Sequence, residues 1–243
     1  MTLIIDTIKT NMEIIAHRGI HNDRILENSD LAIMQALNYG CQAIEVDLQL
    51  TGDGEIIVFH DFHLQRIFGI NKALIDYNYL QLQQLTPLNS AKGQILSLSQ
   101  LLALVPDDIL INLELKSISL FDRGRLVEKV LQQLKDHQRK KILLSSFNPW
   151  LLYKCRATIP EIKRAWLINR KVWFLGYLIS LSRAKPHFIH CSLKLLKSSY
   201  YQKISVLGLP IRVFTVNTPE DYSICQQLHV AGVFSDNPSV LVK

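Results

Sequence analysis

Two carboxylates stand two positions apart inside an apolar segment. Glu45 and Asp47 lie within residues 43–50, whose other members are mostly apolar. Residues two apart on a β-strand point to the same face, so the two side chains should lie side by side in a buried setting. Buried carboxylates repel each other and lose their hydration, and a cation relieves both costs. The spacing therefore predicts a divalent metal site.

A second charged pair and two histidines extend the candidate site. Glu114 and Lys116 are also two apart, within the apolar segment 109–116, and His17 and His60 each end an apolar run. An imidazole titrates near neutral pH and can therefore give or take a proton in catalysis. A single buried carboxylate is more often a structural group. Two strands that each carry a charged pair indicate an active site.

Strand-like and helix-like segments alternate along almost the whole chain. Eight apolar runs, from 13–17 to 232–235, are separated by helix-like stretches, and residues 53–54 (Asp-Gly) predict a tight turn after the second run. No glycine-rich nucleotide loop is present, so the pattern favours an α/β fold of the (β/α)₈ TIM-barrel type over a doubly wound sheet. We expect one domain over 1–243, with at most a short insertion between the second and third strands, around 64–94.

Composition predicts a globular intracellular protein. Apolar residues make up 48% of the 243 residues, and charged residues make up 20%. Cys41, Cys155 and Cys191 lie in apolar surroundings without metal-ligand spacing, which is typical of buried free thiols in a reducing compartment. No apolar run approaches the roughly 20 residues that span a bilayer, and the N-terminus does not resemble a signal peptide. We therefore expect a cytoplasmic protein, with peripheral membrane contact as an alternative.

Positive charge is concentrated in one part of the chain. Residues 135–203 contain fifteen Lys and Arg but only two acidic residues, although the net charge of the whole chain is +6. A basic surface attracts membrane lipids or nucleic acid. The region has no nucleic-acid-binding motif and its charges are spread over several elements, so nucleic acid is not the expected partner.

An apolar stretch, residues 172–181, lies within this basic region and is flanked by basic pairs. Because it follows the fifth strand, it should begin on the catalytic face. As a helix it would be apolar on nearly every side, unlike an outer helix of a barrel. A homodimer interface or a buried helix is the favoured interpretation. Contact of 170–185 with an anionic membrane is the alternative.

The ordered motifs of the chain resemble those of the glycerophosphodiester phosphodiesterase family. The matching motifs are His17-Arg18-Gly19, Glu27-Asn28, Glu45-Val46-Asp47, Thr51-Gly52-Asp53-Gly54, His60-Asp61, Arg66, Asn112-Leu113-Glu114-Leu115-Lys116, Ser146-Phe147, Thr215-Val216-Asn217 and Gly232-Val233-Phe234-Ser235-Asp236-Asn237-Pro238. Leu26, Phe214 and the pair Phe234-Ser235 depart from the usual family pattern. These departures bear on substrate shape rather than on chemistry, because none of them replaces a charged residue.

The resemblance implies a metal site and a phosphate site. Glu45, Asp47 and Glu114 would hold one divalent cation, Mg²⁺ or Ca²⁺, since both ions prefer oxygen ligands. The cation would stabilise charge that develops on the phosphate. Arg18 and Lys116 would bind the remaining phosphate oxygens.

The resemblance also implies acid–base catalysis by two histidines. Of His17 and His60, one would deprotonate a glycerol hydroxyl that attacks phosphorus, and the other would protonate the leaving alcohol. The resulting cyclic phosphate would then be hydrolysed to glycerol 3-phosphate. The sequence leaves open which histidine is the base. Glu27, Asp61 and Phe214 are expected at the pocket wall or behind the charged residues.

Two other functions remain open at this point. A lysophospholipase D-like enzyme would hydrolyse lysophospholipids at a membrane surface, and the apolar residues 172–181 favour this variant. A non-catalytic module would bind a membrane or another anion through the basic region. No charged residue of the candidate active site is missing, which argues against a non-catalytic module.

Overall fold

Eight parallel strands close into a barrel in the computed structural model, which describes residues 12–116, 124–137, 140–169 and 174–241. The strands are β1 (Glu13–His17), β2 (Ala43–Leu50), β3 (Ile56–Val58), β4 (Leu110–Leu115), β5 (Lys141–Ser146), β6 (Lys163–Ile168), β7 (Phe188–Ser192), β8 (Ile211–Phe214) and β9 (Gly232–Ser235). All except β3 run parallel, and β1 closes the ring between β9 and β2. The predicted (β/α)₈ barrel is confirmed, whereas the extent of the domain over 1–243 stays a prediction.

Helices surround the barrel, and two of them begin at polar residues that cap the first turn. The helices are α1 (Asp30–Tyr39), α2 (Gln65–Phe68), α3 (Tyr79–Gln83), α4 (Leu98–Leu104), α5 (Arg125–Leu134), α6 (Pro149–Thr158), α7 (Phe174–Ala184), α8 (Leu193–Leu196), α9 (Tyr200–Ser205) and α10 (Pro219–Gln227). Ser29 caps α1 by accepting a hydrogen bond from the Ala32 amide, and Asn148 caps α6 in the same way before Pro149.

The insertion between β2 and β4 is short and folds back over the barrel. The predicted Asp-Gly turn is confirmed, because β3 returns antiparallel to β2 with Leu48 opposite Val58. The segment after β3 carries α2 and α3 and a small apolar cluster that includes Phe59, Phe68 and Leu82. This segment places residues 60–66 beside the open end of the barrel.

Strand register brings the charged residues to one end of the barrel. Along the parallel ladder, His17 aligns with Glu45, and Asp47 aligns with Glu114. His17 ends β1 and Glu114 is the penultimate residue of β4, and the register brings Glu45 and Asp47 of β2 level with them. Reactive groups of TIM barrels collect at the C-terminal ends of the strands. This end is called the mouth below. Beneath it, Ile15 and Phe234 belong to an apolar layer inside the barrel.

The proposed membrane or dimer stretch, 170–185, lies partly outside the described residues. Residues 170–173 are among those that the structure does not describe. Helix α7 is present, and its Ile179 side chain is 45% exposed. Arg156 anchors the end of α7 by donating to the Arg183 carbonyl over 2.8 Å. The membrane contact and the homodimer both stay predictions.

The described residues can be compared with the sequence predictions on cysteines and on membrane-spanning segments. All four cysteines are buried and free, as predicted for Cys41, Cys155 and Cys191. Burial raises the pKa of Cys155 to about 12, which keeps its thiol protonated. Across the described ranges, no helix combines the length and the apolar character needed to cross a bilayer.

Candidate active site

Three buried carboxylates converge at the mouth. Glu45 and Asp47 on β2 and Glu114 on β4 each offer an oxygen, and these oxygens all lie within 4.8 Å of one another. All three side chains are buried. The strand period places Glu45 and Asp47 on one face, and parallel pairing of β2 with β4 adds Glu114. We call this set the carboxylate triad.

The negative charge of the triad is only partly neutralised by its surroundings. Burial and repulsion by Asp47 and Glu114 raise the pKa of Glu45 well above its usual range. Burial and Asp47 also raise the pKa of Glu114. Burial acts the same way on Asp47, but Lys116 and Arg18 outweigh it and hold the Asp47 pKa well below its usual range. A hard divalent cation among three oxygen donors would supply the missing charge, so the donor set fits Mg²⁺ or Ca²⁺.

Two basic side chains reach the triad. The Lys116 ammonium lies 3.1 Å from Asp47 and 3.0 Å from Glu114. Nε of Arg18 lies 3.3 Å from Asp47, and the Arg18 backbone amide donates to Oε2 of Glu45 over 3.1 Å. Both predicted phosphate-binding residues thus lie where an anion next to the triad would meet them.

Asn28 supports the triad from behind, and sequence reasoning gave it no role. Its amide donates to Oδ2 of Asp47 over 2.8 Å, and the Asp47 backbone amide donates to Oδ1 of Asn28 over 3.2 Å. Asn28 has a φ of 59°, in the left-handed region that asparagine tolerates better than most residues. Its place in the Glu27-Asn28 motif was the only sequence signal.

Glu27 and Asp61 are joined by Arg66. The Arg66 guanidinium binds both oxygens of Glu27, at 2.7 and 2.9 Å, and its Nε contacts Asp61 at 2.6 Å. Glu27 also accepts from Arg18 over 2.7 Å. These carboxylates therefore contact Arg18 and His60, two of the side chains that face the mouth. Burial would raise the pKa of Asp61, but hydrogen bonds with His60 and Arg66 lower it to about 2.

Each candidate catalytic histidine has a carboxylate at Nδ1. Nδ1 of His17 lies 2.6 Å from Oδ1 of Asp236, and Nδ1 of His60 lies 2.5 Å from Oδ1 of Asp61. Nε2 of His17 lies 3.9 Å from Glu45. Burial lowers the pKa of His17, and the hydrogen bond with Asp236 opposes this effect. In both histidines the contact at Nδ1 leaves Nε2 available for proton transfer.

The mouth contains a cavity of about 270 Å³. Its charged side is formed by His17, His60, Arg18, Lys116 and the triad members Glu45 and Glu114. Its other side is largely apolar and is formed by Phe147, Leu167, Phe214 and Phe234. Phe214 stacks edge-on against Phe147 with the ring centres 6.0 Å apart, and it also packs on the apolar layer inside the barrel.

A larger cavity, of about 680 Å³, opens at the other end of the barrel, where β4, β5 and β6 begin. Lysines and aliphatic side chains line it, and Glu161 is its only carboxylate among the described residues. It contains none of the candidate catalytic residues. The smaller cavity at the mouth is therefore the candidate active site, although it is not the larger of the two.

His190 is a second residue that the sequence did not single out. It lines the cavity from β7, is fully buried, and neither ring nitrogen has a hydrogen-bond partner among the described protein groups. Burial and the charge of Arg212 lower its pKa well below the usual range, so its imidazole is neutral. Its ring packs edge-on against Phe234 at 4.8 Å.

Comparison with known proteins connects this geometry with one family. The model of the glycerophosphoryl diester phosphodiesterase family matches residues 17–240. The uncharacterized protein YqiK of Bacillus subtilis is 30% identical over 236 residues, which cover 93% of this chain and 95% of YqiK. The human lysophospholipase D GDPD1 is 22% identical, with 93% of this chain and 84% of that protein covered.

A solved structure with a bound product has the same fold. The phosphodiesterase OLEI02445 of Oleispira antarctica, determined in complex with the product sn-glycerol-3-phosphate, is 25% identical and superposes with a TM-score of 0.81. The alignment covers 94% of this chain and 94% of that chain. The family resemblance found in the sequence is therefore confirmed.

Proposed function

Because the chain belongs to the glycerophosphoryl diester phosphodiesterase family, we propose that it hydrolyses glycerophosphodiesters at the barrel mouth to glycerol 3-phosphate and an alcohol. One observation carries the proposal: Glu45 and Glu114 of the carboxylate triad line a single cavity of about 270 Å³ together with two basic side chains and two histidines. Glycerol 3-phosphate is the product bound by the related Oleispira enzyme.

One divalent cation, Mg²⁺ or Ca²⁺, is part of the proposal. Glu45, Asp47 and Glu114 would hold it through carboxylate oxygens. When bound, the cation supplies Lewis-acid stabilisation of the charge that develops on the phosphate. The shortage of positive charge at the triad supports this assignment.

Arg18 and Lys116 bind the phosphate in this proposal. Both contact Asp47, at 3.3 and 3.1 Å, so the two cationic groups are already in position before a substrate binds. The planar guanidinium can contact two oxygens, whereas the ammonium acts as a point charge. Preorganised cations stabilise the added negative charge of a pentavalent phosphorus without further rearrangement.

His17 and His60 exchange the protons of the reaction. One removes the proton of the glycerol hydroxyl that attacks phosphorus, and the other donates a proton to the departing alcohol oxygen. The attack forms a cyclic phosphate, and addition of water then opens this ring to glycerol 3-phosphate. The contacts with Asp236 and Asp61 support both roles, because they leave Nε2 of each ring for the substrate.

Lysophospholipids are a second candidate substrate class. The cavity wall contains Phe147, Phe214 and Phe234, and Phe147 and the nearby Trp150 are 39% and 37% exposed. A cavity of about 270 Å³ lies at the lower end of small-molecule pockets, so an acyl chain would extend past it over these aromatic residues. The human relative named lysophospholipase D adds support.

Release of glycerol 3-phosphate from glycerophosphocholine and glycerophosphoethanolamine tests the proposal. We expect release with Mg²⁺ or Ca²⁺, none with EDTA, and none from Glu45→Ala. His17→Ala and His60→Ala should each lower turnover about 10²-fold or more. The matched control is His63→Ala, because His63 is exposed on the surface beside the mouth.

Three results would redirect the assignment. Turnover that persists in both histidine variants would reject acid–base catalysis by these residues. Release of a free head group from lysophosphatidylcholine, without activity on glycerophosphodiesters, would favour the lysophospholipase D reaction. Inactivity of the folded protein on both substrate classes would favour a non-catalytic binding module.

A further inference from the structure

An acidic side chain without a part in the proposed reaction lies against His17. Asp236 directly follows β9, and its Oδ1 is 2.6 Å from Nδ1 of His17. Nε2 of His21 lies 3.3 Å from the same oxygen. Asn217 holds the other oxygen, since its amide donates to Oδ2 over 2.6 Å. The carboxylate therefore has a fixed orientation, unlike a solvated surface group.

Asn217 also fixes the backbone beneath this carboxylate. Its Oδ1 accepts from the Asp236 amide over 2.9 Å and from the Ser235 hydroxyl over 3.2 Å. The adjacent Val216 amide donates to the Phe234 carbonyl over 2.8 Å, which ties the loop after β8 to β9. Both polar atoms of the Asn217 side chain are thus used to hold Asp236 in place.

The protonation state of Asp236 determines which nitrogen of His17 carries the proton. Burial would raise the Asp236 pKa, but hydrogen bonds with His17 and His21 hold it well below its usual range. An ionised carboxylate only accepts hydrogen bonds, so Nδ1 of His17 is the donor. In a neutral imidazole the lone pair then lies at Nε2, which faces Glu45 at 3.9 Å on the side of the mouth.

The other histidine has a different kind of partner. Asp61 contacts His60 but shares its charge with Arg66, whose Nε lies 2.6 Å away. Asp236 has two imidazoles and one amide as partners, and within the described ranges no lysine or arginine forms an ion pair with it. Among these partners His17 makes the shorter contact with Oδ1, at 2.6 Å against 3.3 Å for His21.

We propose that Asp236 is a positioning residue, which selects the Nδ1-protonated form of His17 and directs Nε2 into the mouth. This inference rests on the proposed hydrolysis. A metal ion bound by His17, His21 and Asp236 is the competing interpretation, because their ligand atoms lie within 4.8 Å of one another. The separation of 2.6 Å between Nδ1 and Oδ1 is a hydrogen-bond length. Two ligands of one tetrahedral ion would be roughly 3.4 Å apart.

Asp236→Asn is the decisive variant. The Asn217 amide needs an acceptor at the Oδ2 position, so the new carboxamide should turn its NH₂ group toward His17. An NH₂ group cannot accept, and His17 should therefore move its proton to Nε2. We expect kcat for glycerophosphocholine to fall on the order of 10³-fold, with KM within about threefold of wild type. The ¹⁵N spectrum of the His17 ring should show the proton shift from Nδ1 to Nε2.

Two further variants separate positioning from structural damage. Asp236→Glu retains an anionic acceptor and should restore part of the lost kcat. His21→Ala leaves the contact between His17 and Asp236 intact, so its kcat should stay within about threefold of wild type. Circular dichroism of each variant verifies the fold.

The tautomer is measured without substrate, so the two proposals can fail separately. An inactive wild type whose His17 proton still moves in Asp236→Asn would reject the hydrolysis and retain the positioning role. An unchanged tautomer, an unchanged kcat in folded Asp236→Asn, or a loss confined to KM would overturn the positioning role. Zn²⁺ binding to the EDTA-treated protein that disappears in His21→Ala would also overturn it, in favour of a metal site.

Discussion

Glu45→Gln should stabilise the metal-free protein while it removes the metal site. Glu45 is 3% exposed, and its carboxylate lies within 4.8 Å of those of Asp47 and Glu114. At that separation two unit charges repel by about 3.5 kcal/mol at an effective dielectric constant of ~20. Attraction to Arg18 and Lys116 offsets part of this repulsion, and the raised pKa of Glu45, which favours its uncharged form, offsets a further part. We therefore expect a net gain of about 1–3 kcal/mol in the free energy of unfolding.

Local geometry also supports a gain in the stability of the Glu45→Gln variant. The carboxamide oxygen of the variant can keep the contact that Glu45 makes with the Arg18 amide at 3.1 Å, and the new NH₂ group would then donate toward the remaining carboxylates. Thermal unfolding in EDTA measures the effect. For a chain of this size, about 1 kcal/mol corresponds to roughly 2–4 °C in Tm. Mg²⁺ or Ca²⁺ at about 100 times Kd should stabilise the wild type by about 2.7 kcal/mol, and the variant should gain much less.

A matched control separates the triad from a general effect of charge. Glu161→Gln makes the same chemical change at an exposed position at the other end of the barrel, and it should alter stability by less than about 0.5 kcal/mol. A Glu45→Gln variant that is less stable than wild type in EDTA would contradict the repulsion argument. Equal stabilisation of both proteins by the cation would exclude Glu45 as a ligand.

Three further predictions concern the surroundings of the triad. Asn28→Ala removes two hydrogen bonds to Asp47 and should weaken cation binding about 10- to 100-fold by titration calorimetry; unchanged affinity would exclude this support. His190→Leu removes two ring nitrogens that have no hydrogen-bond partner among the described protein groups, and it should raise the free energy of unfolding by about 1 kcal/mol; a lower Tm would contradict this. Because the pKa values of Glu45 and Glu114 are raised, cation affinity should begin to fall at a pH above the usual carboxyl range as acid is added; an affinity that is constant down to about pH 4 would refute this.

Residue spacing predicted that two pairs of charged side chains would each share one face of a strand. A strand places every second side chain on one face, so Glu45 with Asp47 and Glu114 with Lys116 had to project together in pairs. Alternation of strands and helices predicted the barrel, and a barrel of parallel strands collects such residues at one end. The structure brings these residues together at the mouth, where Arg66 also joins Glu27 to Asp61.

Other parts of the fold depended on context that local pattern does not contain. The insertion after β3 has no long periodic segment from which helices could be predicted. Its short helices are stabilised by packing in their own small apolar cluster rather than by helix propensity. The direction of His190 also escaped prediction. Its strand, β7, is one of the predicted apolar runs, but only pairing with Leu167 and Arg212 places the side chain inside the barrel.

The sequence by itself determined which residues could bind a cation and transfer protons, because side-chain chemistry and the two-residue strand period are local properties. Tertiary structure alone decided two of the contacts that hold them. Asp236 and His17 are 219 positions apart, and they meet because β9 pairs with β1 when the barrel closes. Asn28 reaches Asp47 through a left-handed backbone turn that no periodic pattern encodes. Closure of the ring is a property of all eight strands together, so contacts that depend on it appear only in the folded chain.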